Sequence, residues 1–305
     1  MELIDRDGFA KLPKEEKRSN EVIRPSMTFW QDAWRRLKKN RMAMLGMYIL
    51  LAIILIAIFG PVFSPYNYSD QSLTMANQLP SKAHIFGMDN LGRDLMTRVF
   101  YGARISLSIG FIVAVCTIFI GILYGGIAGY VGGRADNIMM RIVDILYIIP
   151  STLYVILLMI IIGPGFKSVI IALAITSWLG MARQVRGQVL TLKEQEFVLA
   201  AKALGADSRR ILLRHLVPNS LGQIIVMTTM QIPSAIFSEA FLSFIGLGVS
   251  APQASWGVLC NDALPTLRTA PHELLFPALA ITITMLAFSF FGDGLRDALD
   301  PKMRK

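Results

Sequence analysis

Few side chains in this sequence stand where they could do chemistry. His84, Asp89 and Asp94 fall within eleven residues, and imidazole and carboxylate together are donors that a divalent metal ion accepts. Their spacing follows no established metal pattern, however, and the intervening Gly87 and Gly92 predict a turn-rich cap. No metal site is assigned; Arg93 and Asp94 are expected to make local polar contacts instead. Glu239 is a different case, because it interrupts an apolar stretch. A carboxylate facing lipid costs ~2.5 kcal/mol or more near the bilayer centre. It follows Pro218 by twenty-one residues, about 31 Å along an ideal helix. That places it near the outer end of a span, within reach of water or a partner. A gate or a structural role suits the position better than a proton relay, and Pro233, which is expected to interrupt the same span, shares that assignment.

Catalytic signatures are missing. Gly163 to Ser168 reads GPGFKS, which lacks the glycine directly before lysine that a phosphate-binding loop needs. The three histidines form no HExxH pattern, and no GxSxG elbow occurs. The chain is therefore not expected to be an enzyme, and no catalytic, cofactor-binding or metal-binding residue is assigned.

The surroundings of these residues are mostly apolar. Of 305 residues 54% are hydrophobic and only 17% charged, against roughly a quarter charged in a typical soluble domain. Several uncharged windows reach the ~18 residues needed to cross a bilayer. Six spans are predicted: Met42 to Phe63, Ile105 to Tyr130, Ile138 to Ile162, Phe166 to Met181, Leu221 to Val249 and Leu274 to Phe291. Six spans put both termini on one side. On that side fall 24 of the 30 Lys and Arg residues, the bias expected of cytosolic segments. The formal charge of +9 thus needs no nucleic acid, and a multi-pass protein of the cell membrane with cytosolic termini is the expectation. Cys116 lies in a span and Cys260 in an external loop, so no bridge is expected between them. Arg141 and Asp144, three apart on one helical face, are expected to pair.

Two segments outside the spans carry pattern. Between Ser26 and Asn40, Phe29, Trp30, Trp34 and Leu37 recur at helical spacing beside Arg35, Arg36, Lys38 and Lys39. This reads as an amphipathic helix, either at the membrane surface or packed on the protein itself. The loop Ala182–Asn219 is too long for a mere connection. Val198, Ala201 and Gly205 are expected on one helical face there, where small residues let another backbone approach. Asp207 or Ser208 can cap a second short helix through Leu216, and Pro218 marks the turn back into the membrane.

The run Ala200-Ala201-x-x-x-Gly205, with Pro218 thirteen residues on, resembles the EAA loop of ABC-importer permeases. More closely, the chain resembles the C-type permease subunit of dipeptide and oligopeptide importers. Four further stretches carry that likeness: Phe86 to Asp94 (FGMDNLGRD), Arg141 to Pro150 (RIVDILYIIP), Glu239 to Gly248 (EAFLSFIGLG) and Gly292 to Pro301 (GDGLRDALDP). The resemblance implies an all-α integral membrane protein with six transmembrane helices and a cytosolic coupling-helix loop. Its divisions would be a cytosolic tail with the interfacial helix (1–41), a first helix and external segment (42–104), a five-helix permease core (105–292) and a cytosolic tail (293–305). It implies a second related permease, two cytosolic ATPase subunits that hydrolyse the ATP, and an external substrate-binding protein. The motion would be alternating access. Carried over by position, the ATPase-docking residues are Ala200, Ala201 and Gly205, with Glu196 nearby. The motif's usual glutamate falls at Leu199, so any charged contact it makes is absent or supplied by Glu196. Nickel or another small solute is an alternative cargo. A self-sufficient secondary transporter is the rival mechanism, with Pro233 its only hint.

Overall fold

A computed structural model describes residues 28–300. Among these residues the regular secondary structure is helical, apart from an isolated bridge between Met88 and Asp94. Helix α1 (Phe29–Lys39) opens with a capping box. The Thr28 amide donates to Gln31 Oε1 at 3.0 Å, and the Gln31 amide donates back to the Thr28 hydroxyl. One face of this amphipathic segment packs on the protein itself. Ala33 and Leu37 are buried, Leu37 against Ala43 and Ala298, while Trp30 is 55% exposed and Trp34 lies beneath the Lys38 ammonium. The expected tail before it lies outside the described residues, as do 301–305.

Helix α2 (Arg41–Phe63) is the first span. Pro61 has no N–H for the Ala57 carbonyl four residues back, and Arg104 supplies the missing donor, with Nε 3.1 Å from that oxygen. Helix α3 (Leu95–Val131) starts ten residues before the expected second span. The charges that had marked 95–104 as external loop are neutralised rather than solvated: Arg98 is buried against Asp89, and Asp94 caps the helix by accepting from the Thr97 amide at 2.8 Å. The loop after the first span is accordingly 64–94.

The expected third span is broken. Helices α4 (Gly133–Ile148) and α5 (Ser151–Ile162) meet at 81°. Pro150 is the cause, since proline drives its predecessor out of the helical region and Ile149 is extended (φ −82°, ψ 130°). Helix α6 (Phe166–Lys193) runs twelve residues past the expected end at Met181. It continues because its charges are matched along α4. Arg186 grips Asp136 with Nε–Oδ1 2.5 Å and Nη2–Oδ2 2.6 Å, and Arg183 reaches Asp144 at 2.7 Å. Asp144 therefore pairs with Arg183 rather than with Arg141.

Helix α7 (Glu196–Ala203) follows, then α8 (Ser208–Ile211) and a π-helical turn (Leu212–Leu216) that feeds α9 (Val217–Phe244). Asp207 is the cap of α8, accepting from the Arg210 amide at 3.0 Å. Pro218 makes no turn. It sits in the first turn of α9, where a missing N–H is harmless. Pro233 is buried within α9 without ending it. The Thr229 and Ser234 hydroxyls donate to nearby α9 carbonyls, a local adjustment that helps membrane helices accommodate proline. Helices α10 (Trp256–Asp262) and α11 (His272–Leu299) complete the chain, α11 extending past the expected limit at Phe291 into the predicted tail. Five helices are long and apolar enough to cross a membrane, six spans if α4 and α5 count as one. Cys116 and Cys260 are unbridged.

The broadest helix contact joins α3 to α6. Gly121, Gly125 and Gly129 recur every fourth residue along α3, and a side chain at any of them would collide with Met181, Ala182 or Arg186 of α6. This is close approach through a small-residue stripe. One end of the molecule carries segment 64–94 and α10. The other carries α1, α7 and the last turns of α11.

Candidate functional site

Helix α7 stands at that second end, fixed from beneath. Val198 is its buried side chain and joins Val185 and Val189 of α6, Ile211 of α8, and Leu216 and Ile224 around the start of α9. The remainder of α7 faces outward: Leu199 is 53% and Leu204 88% exposed, with Phe197 and Ala200 beside them. Val198 and Ala201 were expected on one small-residue face. Three residues apart, they lie on one side of α7, Val198 rooted in the core and Ala201 half-covered. Gly205 lies exposed just past the end of α7. It has φ +81° and receives the turn that ends the helix, its amide donating to the Lys202 carbonyl at 2.9 Å. Left-handed backbone favours glycine. Glu196 lies exposed in the first turn, where the helix dipole favours an acid.

A second feature opens between the α4–α5 break, α6 and α9, a groove of about 1070 Å³. Pro150 lines it at the break, Gln184 and Gln188 from α6, Gln223 and Gln231 from α9. The sequence reading picked out none of the four glutamines. The Arg141–Pro150 stretch was the one signal near them, and its proline creates the bend.

At the opposite end two polar clusters hold the elements together. Glu239 is fully buried and not solvated as expected. Its carboxylate accepts from the Ser106 hydroxyl of α3 at 2.8 Å and from Ser243 at 2.7 Å, and Ser255 extends the cluster to the start of α10. In segment 64–94 Asp89 accepts from the Leu91 and Arg93 amides, both at 2.9 Å, from Arg93 Nε at 2.7 Å and from Arg98. His84 pairs with Asp94 at 2.9 Å. Gly92 approaches Ser72 so closely, at φ +68°, that no side chain fits. These groups are committed to closing a loop, and among the described residues no cluster of His, Cys, Asp and Glu is arranged to hold a metal.

Five or six candidate spans thus carry an outward-facing short helix on a buried root and a groove beside it. The family described as the binding-protein-dependent transport system inner membrane component matches residues 121–305. The chain belongs to that family. The N-terminal transmembrane domain of oligopeptide transport permease C matches residues 28–80 of this permease. Over 300 residues it is 54% identical to the dipeptide transport system permease protein DppC of Bacillus subtilis (strain 168), covering 98% of this chain and 94% of that one. It is 51% identical, over the full length of both, to the oligopeptide transport system permease protein OppC of the same organism. A glutathione transport system permease protein, GsiD of Escherichia coli O6:K15:H31, is 44% identical over 93% of this chain and 94% of its own. Among solved structures, an inward-facing MetNI methionine ABC transporter chain superposes with a TM-score of 0.52, covering 68% of this permease and 98% of that chain at 21% identity. That likeness supports the all-α permease fold. The permease is thus a multi-span, non-enzymatic component of an ABC importer, a class that works with ATPase and substrate-binding partners.

Proposed function

We propose that this permease carries dipeptides or oligopeptides inward by alternating access, and that α7 is where an ATPase subunit seats. The observation that carries the docking reading is the outward apolar surface of Phe197, Leu199, Ala200 and Leu204 on a helix rooted by Val198. Exposed apolar side chains clustered on a short projecting helix suit a partner groove. The root supports transmission, because Val198 touches α6 and the α8–α9 entry together, so a displacement of α7 loads two spans at once. Peptide cargo is supported by the dipeptide and oligopeptide permeases above, each matched over nearly its whole length.

In this reading one copy pairs with a second related permease to enclose a path, two ATPase subunits bind beneath and hydrolyse the ATP, and an external binding protein delivers the peptide. Both termini and α7 face the cytosol. Glu239 is a structural pin, joining α3, α9 and the start of α10 through hydroxyls, and Pro233 belongs to the same packed helix. Copurification from gently solubilised native membranes tests the central step. The ATPase is expected to accompany the wild-type chain and to be lost with Ala200→Arg, which puts a charge on the exposed face without touching Val198. An ATPase retained by Ala200→Arg would refute α7 as the seat.

A further inference from the structure

Four carboxamides line the groove beside serine, threonine and tyrosine hydroxyls: Gln184 and Gln188 from α6, Gln223 and Gln231 from α9. Charge is kept out of it. Arg183 and Arg186 share α6 with two of these glutamines, yet they turn to Asp144 and Asp136 and do not line the cavity. The charged lining residue is Arg296, exposed in the last turn of α11, where solvent screens it.

A carboxamide offers both donor and acceptor with no net charge, the same complement as a peptide group. Gln184 and Gln188 stand one turn apart, ~6 Å along the axis at 1.5 Å per residue. Alternate residues of an extended chain are separated by a similar ~6.7 Å. Gln231 already makes this kind of contact within the protein, its amide donating to the Ser177 main-chain carbonyl at 3.3 Å. Resting on the peptide reading above, we propose that these carboxamides hold cargo by its main-chain amides and make this half of the path indifferent to side-chain charge.

Uptake of tri-alanine, Ala-Glu-Ala and Ala-Lys-Ala by the complete importer in proteoliposomes tests this, comparing wild type with Gln184→Glu and Gln184→Lys. Wild type is expected to carry all three at comparable rates with the binding protein saturated. One fixed charge a few ångströms from the cargo shifts the balance between like and neutral side chains by about tenfold. Gln184→Glu should therefore depress Ala-Glu-Ala relative to tri-alanine by that factor, and Gln184→Lys should do the same to Ala-Lys-Ala. Each variant reports separately, so misassembly of one leaves the other to decide. An unchanged ratio among the three peptides in an assembled variant overturns the proposal. If wild type, with its ATPases bound, carries none of them, the peptide reading itself fails and this inference falls with it.

Discussion

At the scale of single residues, Asp89 has the largest expected effect on stability. It accepts from two backbone amides and faces two buried guanidinium groups. Truncation to alanine leaves Arg93 and Arg98 with Asp262, whose oxygen lies 3.3 and 3.4 Å away. Removing one partner of a buried charge network costs about 3–5 kcal/mol, so Asp89→Ala should lower the thermal midpoint in detergent markedly, and Asp89→Asn less. A midpoint unchanged by Asp89→Ala would mean that water reaches both arginines. Part of this cluster was legible. The glycines around Asp89 announced a turn, and Arg93 and Asp94 do make local contacts. Arg98 was not legible, because its partners come from the loop before its helix and from α10, and no sequence spacing relates those elements. Glu239 shows the same limit. Its helix could be placed, but Ser106 lies 133 residues away, so a site expected to meet water is a sealed one.

Among the helices, glycine and proline decide where elements meet and end. Gly125 faces the Ala182 carbonyl with no space for a methyl group. Gly125→Leu should force α3 from α6 at a cost of about 1–3 kcal/mol or more, seen as a lower thermal midpoint and weaker recovery of the folded chain. Equal stability would show that the helices can slide apart without loss. The glycine repeat stood in the sequence as a readable small-residue stripe and was passed over, because its partner on α6 was expected to be loop. Prolines were harder to read. Pro150 breaks a helix and bends it by 81°, Pro233 leaves one intact, and Pro218 starts one. The residue is the same in each case; the surrounding donors and the position within the turn differ. Spans were found wherever apolar runs were long, whereas their ends moved because paired charges such as Arg186 with Asp136 extend a helix beyond its apolar stretch.

For the whole molecule, the long apolar spans and the family likeness from about Trp30 onward are readable in the sequence, since hydropathy and motif order do not depend on which elements touch. Sidedness rests on the distribution of Lys and Arg, and it can be checked directly. Alkaline phosphatase, active only outside the cytosol, should be silent when fused after Lys305 and active when inserted between residues 64 and 94. Activity at the C-terminal fusion would invert the molecule and remove α7 from its proposed seat. The length of α3 has a mechanical consequence. Its 37 unbroken residues span about 55 Å at 1.5 Å per residue, well beyond a ~30 Å hydrocarbon core. It packs on α6 along much of its length, through Ile105, Ile109 and Val113 as well as the glycine stripe, and its first turns are bound to the Asp89 loop. In the proposed alternating-access cycle, a tilt of about 10° about one end of such a ~55 Å rod would carry the other roughly 10 Å sideways, more than the width of an extended peptide backbone.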